Sequence, residues 1–397
     1  MKKNQILDGY DQYILSTYTR TPGIFVKGKG MDLIDISGKK YLDFFPGWGV
    51  NNVGHCHPKV MSAVRDQISK LIHLPNNFYH PHQLKLAKEI IRCSFPGKIF
   101  FCNSGAEGCE AAIKFSRAYG KGKRYKIITM EKSFHGRTLG ALAATGQPKY
   151  QHGFAPLPAG FTTVPFNNIQ ALKEAIDDET IAIMLEPIQG EGGIHIAGND
   201  YIKEIRDICT QKDLLLIFDE VQTGMGRTGE MFCYKHYNVQ PDLMVLAKAL
   251  GGGLPIGALV VKESIADTFK PGMHASTFGG SPLVCRASLG VFKAIFSDKM
   301  LKNTKLMGAY ILKELNKLKS RFSCITDVRG LGLMIGVELN VEGKAVFEEC
   351  FKNGLIINCT QGNILRFMPA LNVTKKQADK AIYILEKSLK KLTLLSS

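Results

Sequence analysis

Leu214-Leu215-Leu216-Ile217-Phe218-Asp219-Glu220 is the stretch that decides the fold. An apolar run that stops at two carboxylates reads as a strand buried on both faces, because a half-exposed strand or an amphipathic helix would interrupt it with polar positions. The same design recurs elsewhere. Ile181-Ala182-Ile183-Met184-Leu185 ends at Glu186-Pro187, Leu243-Met244-Val245-Leu246-Ala247 ends at Lys248, and Ile99-Phe100-Phe101-Cys102 runs into Asn103-Ser104-Gly105. Beyond that last turn, Ala111, Ala112, Phe115 and Ala118 fall on one side of a helix. Continuous apolar strands alternating with helices predict an α/β fold with a mostly parallel sheet covered on both faces. In such sheets ligands bind beyond the carboxyl ends of the strands, which is where Asp219, Lys248 and Ser104-Gly105 stand.

After Phe292 the texture changes to longer helical patterns, such as Leu301 to Leu318 and a final helix with Ala378, Ala381, Ile382, Leu385, Leu389 and Leu392 on one stripe. Between them, Gly332 to Leu339 and Leu355-Ile356-Ile357 read as short strands. A smaller α+β domain near the C-terminus fits this pattern.

Composition excludes several classes. The chain has 397 residues, 45% hydrophobic and 22% charged, which suits a globular enzyme with a sizeable core. Its longest nearly uncharged run, Ala249 to Val261, is broken by Gly251, Gly252, Gly253 and Pro255 and is too short to span a bilayer. Asp8, Asp11 and Gln12 fall where a signal peptide would be apolar, so the mature chain is expected to begin at or near Met1. Ten cysteines lie scattered without a Cys-x-x-Cys pair, as expected of reduced thiols in a cytoplasmic protein. The donors of Gly54-His55-Cys56-His57-Pro58 are too crowded to converge on one ion, and no metal is expected. The net charge of +16 is spread along the chain without a nucleic-acid-binding signature. It suits anionic small molecules better than nucleic acid or membrane.

Three features carry chemistry. Lys248 follows an apolar strand, and partial desolvation lowers a lysine pKa and makes the amine nucleophilic. Taken alone it would be an ordinary snorkelling side chain. Asp219 ends its own apolar strand, where a carboxylate needs a cationic partner; most such aspartates find it in a cap or an ion pair. Ser104-Gly105-Ala106 opens a helix directly after a strand, an arrangement whose backbone N–H groups can hold a phosphate. Strand-glycine-helix turns are common, and this one gains meaning only beside the other two.

Six blocks in order extend the pattern over nearly the whole chain: Asn103 to Glu107, Phe134-His135-Gly136-Arg137-Thr138, Glu186 to Gly193, Asp219 to Gly229, Ala247 to Gly253 and Ser276-Thr277-Phe278-Gly279-Gly280. Together they resemble the class III (ω-) aminotransferases, which use pyridoxal 5'-phosphate on the fold type I scaffold. The resemblance implies an N-terminal segment over 1–45 contributing to the small domain, a large cofactor-binding domain over 46–291 and a small α+β domain over 292–397. It implies that Lys248 carries the cofactor as a Schiff base and shuttles the proton, that Asp219 meets the pyridine nitrogen, and that Glu220 beside it also binds the cofactor. Val221 and Phe134 would flank the ring, and Gln222 would lie near its hydroxyl. Gly105 and Ala106 would hold the phosphate with help from Thr277. Ser276 and Thr277 would reach in from a partner subunit, so a homodimer with shared active sites is expected.

For the substrates, amino acids and 2-oxoglutarate, the resemblance gives Arg366 to the α-carboxylate of glutamate and Arg137 to the distal one, since a planar guanidinium suits a carboxylate. Glu191 would mask Arg366 while an ω-amine reacts, with Arg137 and Ser276 receiving the far end of that substrate. Ala249 to Ala258 and Thr277 to Gly280 resemble the branch acting on acetylornithine, a step of arginine biosynthesis, more than the ornithine branch. Donors of the succinyl-diaminopimelate and 4-aminobutyrate type stay open. Three departures stand out: Gly108-Cys109 where Ala-Asn is usual, Ala275 where Gly is usual, and Ser281 where Asn is usual.

Overall fold

A computed structural model describes residues 3–396, with side chains through Lys391. The Met1-Lys2 start and the Leu392 side chain therefore lie outside the described residues. At the centre is a seven-stranded sheet of β1 (Gly97–Cys102), β2 (Lys126–Met130), β3 (Phe161–Val164), β4 (Thr180–Leu185), β5 (Leu215–Asp219), β6 (Leu243–Leu246) and β7 (Gly257–Lys262). Their spatial order is β1-β7-β6-β5-β4-β2-β3. All pairings from β6 to β3 are parallel, and β7 runs antiparallel to both β6 and β1.

The uninterrupted apolar runs are explained by period-two alternation between two buried faces. Leu216, Phe218, Met244 and Leu246 join one core cluster, while Leu215, Ile217, Leu243 and Val245 join the other. Helix Gly105–Tyr119 covers the second face with Cys109, Ala111, Ala112 and Phe115, and Ser104 caps it by accepting the Glu107 N–H at 3.2 Å. Small residues set how closely it lies. A Cβ at Gly108 would stand 2.7 Å from Val245 Cγ1, so a larger residue would lift the helix off the sheet. Helices Asn199–Gln211 and Pro282–Ser297 join the first cluster through Ile202, Ile205, Val291 and Ile295.

Away from the central sheet two strand segments differ from expectation. Gly332 to Leu339, read as one strand, is the turn and second arm of a hairpin, Ile325–Leu331 against Met334–Leu339, and Gly332 turns it at φ +59. Leu355–Ile356 pairs in parallel with Leu42-Asp43 of the N-terminal strand Lys40–Asp43. That strand, Asp32–Asp35 and Phe25–Lys29 complete a four-stranded sheet, so the two ends of the chain share one structural layer. The long helices fall as read, at Met300–Lys319 and Lys375–Ser396, with Ala378, Ala381, Leu385 and Leu389 buried. Among the described residues, no helix is long and apolar enough to cross a membrane. His55 bonds Asp43 at 2.7 Å, and His57 accepts the Lys59 N–H that opens helix Pro58–Ile68, so these two rings serve separate local contacts.

Candidate active site

Strands β1, β4, β5 and β6 all end on one side of the sheet, around a cavity of ≈ 460 Å³. Gly105 and Ala106 come to it after β1, Glu186 after β4, Asp219, Val221 and Gln222 at the end of β5, and Lys248 after β6; Phe134, His135 and Arg137 come from the loop after β2.

Asp219 is almost wholly buried, and its carboxylate is held on both oxygens. Oδ2 lies 2.8 Å from His135 Nδ1 and accepts the Cys109 thiol at 3.5 Å, while Oδ1 accepts the Val221 N–H at 3.0 Å. Burial keeps the Cys109 thiol well above the usual range, so it stays a neutral donor. Cys109, His135 and Asp219 also place three metal-type donor atoms within 4.8 Å of one another, but each is engaged in this hydrogen-bonded set. Lys248 has φ +45, a left-handed conformation rare outside glycine, at the point where the chain leaves β6. Burial lowers the pKa of its amine, against the pull of the Glu191, Asp219 and Glu186 carboxylates.

Across the cavity, the Ser104 cap satisfies Glu107, which leaves the Gly105 and Ala106 N–H groups among the first-turn donors with no intrahelical acceptor. Among the described residues, two buried polar atoms of the lining, His135 Nε2 and Gln222 Oε1, have no partner, and Arg366 Nη2 is a third such atom close by. Buried groups in this state call for a ligand. An anion site at a helix terminus, a fixed carboxylate, a free amide acceptor and a partly desolvated amine together suit an aromatic aldehyde phosphate.

Glu220 does not join them. Successive strand residues face opposite ways, and the Glu220 carboxylate turns from the cavity to accept the Cys233 and Tyr234 N–H groups at 2.6 and 2.7 Å. It caps the short helix Cys233–His236 instead. Burial, opposed by those N–H bonds, pushes its pKa up to about 7. A carboxyl raised in the fold gives stability that is complete below about 4.5 and is lost as pH rises through about 7. Depressed histidines such as His57, His195 and His236 act in the opposite direction, so the comparison is made against Glu220→Gln. Between pH 5 and 8 the wild-type protein is expected to lose roughly 3 kcal/mol relative to that variant in urea unfolding. A gap that stays constant with pH would refute burial as the cause.

Arg366 is fully buried: Nη1 donates to Glu191 Oε1 and to the Gly190 carbonyl, both at 2.9 Å, and Nε donates to Asn358 at 2.7 Å. Phe45 and Trp48 stack on its guanidinium at 4.8 and 5.5 Å. Arg137 is exposed and forms no ion pair among the described residues; its guanidinium lies 4.2 Å from the Tyr150 ring and 5.4 Å from that of Phe134. Ser276 and Thr277 are not brought to the cavity. They line a separate groove of ≈ 1310 Å³ with Tyr79, His80 and Leu84, where Ser276 Oγ accepts from Asn103 and from the Gly279 N–H.

Three residues at the site are not marked as site residues by the sequence: His135, which holds Asp219, Tyr150 and Glu186. Tyr150 meets Phe134 edge to face at 5.6 Å, and burial with the Glu191 charge raises its pKa. Glu186 lines the cavity, and burial beside Asp219 pushes its carboxyl up to about 7. Its position at a strand end, like that of Asp219, was the available signal.

Comparison with known proteins agrees with this geometry. The family described as Aminotransferase class-III matches residues 14–389. An acetylornithine aminotransferase of Methanocaldococcus jannaschii is 52% identical over 97% of this chain and 98% of its own length. A solved ornithine aminotransferase of Toxoplasma gondii, with PLP in partial occupancy at its active site, superposes with a TM-score of 0.94 at 30% identity, covering 98% of this chain and 94% of that one. An acetylornithine aminotransferase of Elizabethkingia anophelis superposes at 0.88 and 31% identity, over 98% of this chain and 100% of its own. A cavity whose donors suit pyridoxal phosphate and a family match over nearly the whole length lead to one conclusion: the chain belongs to the class III aminotransferases and uses pyridoxal 5'-phosphate.

Proposed function

We propose that this aminotransferase moves the distal amino group of N2-acetylornithine to 2-oxoglutarate, giving N-acetylglutamate 5-semialdehyde and glutamate. The observation that carries this reading is the state of the charges around the cavity. Arg137 forms no ion pair among the described residues and is flanked by aromatic rings, while both carboxylates of the lining are occupied, Asp219 by His135 and Val221, and Glu186 by the Phe134 and Gly190 N–H groups. A carboxylate next to a neutral amide suits that setting, whereas the free α-ammonium of ornithine would find no unoccupied acid there. The full-length identity to acetylornithine aminotransferase supports acetyl as the acyl group.

Pyridoxal phosphate, when bound, supplies an aldehyde that takes up the amino group and a ring that accepts the electron pair released with the proton. Asp219 would hold the ring nitrogen, Gly105 and Ala106 the phosphate, Gln222 the ring hydroxyl, and Val221 and Phe134 the two ring faces. Lys248 Nζ, less basic than an ordinary lysine, removes the proton from the substrate carbon that bears nitrogen and returns it on the cofactor side. Arg137 receives the carboxylate of acetylornithine, with Glu191 covering Arg366; glutamate then displaces Glu191 and places its α-carboxylate on Arg366.

A homodimer is part of the proposal. Its support is that Ser276 and Thr277 line a solvent-facing groove away from their own cavity, as residues serving a second copy would. The division into 1–45, 46–291 and 292–397 is likewise supported by the sheet shared between the chain ends. A place in arginine biosynthesis follows from the substrate, and a cytoplasmic location is part of the proposal.

The test is a donor panel with 2-oxoglutarate. Acetylornithine is expected to exceed ornithine and 4-aminobutyrate in kcat/KM by at least about 10²-fold, the scale on which an unmatched charged group is rejected. Ornithine at or above acetylornithine would overturn the substrate while leaving the reaction class.

A further inference from the structure

Glu186 is a buried acid at the site for which the reaction just described has no use. A carboxylate kept out of water must be hydrogen-bonded, and the partners of Glu186 come from two different loops. Oε2 accepts the Phe134 N–H at 3.0 Å, and Oε1 accepts the Gly190 N–H at 3.1 Å. The first loop carries Phe134 itself and Arg137. The second carries Glu191, and the Gly190 carbonyl accepts from the same Arg366 nitrogen that pairs with Glu191. Gly190 is thus gripped on its N–H side by Glu186 and on its carbonyl side by Arg366.

Its surroundings leave it no slack. A Cβ at Gly190 would stand 2.3 Å from Gln222 Oε1, so the peptide also backs the amide that lines the cavity. A displacement of Gly190 would move both Arg366 and Gln222.

We propose that Glu186 is a positioning residue that clamps the Phe134 and Gly190 loops together, so that Arg366 keeps a fixed anchor when Glu191 releases it to a substrate carboxylate. The proposal rests on the carboxylate role given above to Arg366. With Glu191 in place, Arg366 has two acceptors in the 190–191 segment and Asn358 besides. Once Glu191 leaves, the Gly190 carbonyl is the acceptor left in that segment, and its position is only as firm as the Glu186 bond behind it. The clamp therefore matters most in the glutamate half of the reaction. Burial raises the Glu186 carboxyl to about 7, with Asp219 adding to the rise and His135 opposing it, so replacement by a neutral amide is a mild change in charge. Its larger effect is to set an N–H donor against one of the two loop N–H groups.

The chain contains a single tryptophan, and Trp48 lies 5.5 Å from the Arg366 guanidinium. Its emission reports directly on carboxylate binding at Arg366. Glu186→Gln holoenzyme is titrated with glutarate, a dicarboxylate without an amine, by Trp48 fluorescence, and its two half-reactions are followed separately by stopped flow. Glutarate affinity and the glutamate KM are expected to weaken by about tenfold or more, as for loss of one charge-assisted hydrogen bond, while the acetylornithine half-reaction, in which Arg366 keeps Glu191 and only the Arg137 loop is loosened, is expected to lose at least about threefold less. Glu186→Asp, which keeps the charge but is too short to reach both loops, is expected to shift in the same direction and carries the comparison should the Gln variant not fold. Equal losses in the two half-reactions, or unchanged glutarate affinity, overturn the clamp. Arg366→Lys in the wild-type background separates the two levels: if it leaves glutarate affinity unchanged, the carboxylate role of Arg366 falls and takes the clamp with it.

Discussion

Lys248→Ala holoenzyme is expected to turn over acetylornithine and 2-oxoglutarate at least about 10³-fold more slowly than wild type, within the range seen when a positioned acid–base group is removed. The visible-edge absorbance of the cofactor joined to the lysine should disappear at the same time. Both effects follow from placement. Lys248 occupies a left-handed backbone position at the end of β6, and its amine lines the cavity opposite the anchored Asp219. Burial makes it less basic, against the pull of three nearby carboxylates, so the amine gives up its proton more readily than an ordinary lysine. Lys248→Arg should be as slow, because a guanidinium holds its proton too tightly to act as the base. The two variants separate charge from proton transfer. A Lys248→Arg enzyme within tenfold of wild type would mean that Lys248 serves as a fixed cation and that another group moves the proton.

How far such placements can be read from sequence depends on which physical constraint writes them. The run Leu214 to Phe218 was legible because β5 is buried on both faces, leaving no polar position to blur it. Only its boundary shifted, since Asp219 is the last strand residue. Strand β7, at Gly257–Lys262, was hidden in a glycine-rich run, and Phe25–Lys29 was hidden by its solvent-exposed residues. Phe25–Lys29 lacks the two-sided burial that makes a strand conspicuous, whereas β7 has it and is masked by the glycines that precede it. At the site, Asp219 and Lys248 are legible at their strand ends, whereas Glu220 is not a cofactor contact because neighbours in a strand point to opposite faces. Glu186 and Tyr150 were missed for another reason. Their partners are backbone N–H groups and side chains brought close only by folding, 52 positions away for Glu186 and Phe134. The Glu191–Arg366 pair, 175 positions apart, came from the family resemblance and stands at 2.9 Å.

Asp219→Asn is the substitution that separates charge from shape at the base of the cavity, and its expected result is a folded protein with kcat lowered by about 10²- to 10³-fold. The fold should tolerate it. An amide fills the volume of the carboxylate, its oxygen can still accept the Val221 N–H, and its NH2 would then face His135 Nδ1. His135 can become the acceptor there by moving its proton to Nε2, an atom with no partner among the described residues. The Cys109 thiol gives up only a 3.5 Å bond. Loss of the negative charge has no such remedy. Among the carboxylates lining the cavity, Glu186 is turned to the Phe134 and Gly190 N–H groups and cannot replace it. A protonated ring nitrogen would then sit in a buried site without a counter-charge, which disfavours the protonated form and weakens the ring as an electron sink. Thermal unfolding of the apoenzyme within a few degrees of wild type, together with faster loss of cofactor on dialysis and the lowered kcat, is the expected combination. Normal kcat in a well-folded Asp219→Asn enzyme would show that the shape of the Asp219 and His135 pair, rather than its charge, sustains the reaction.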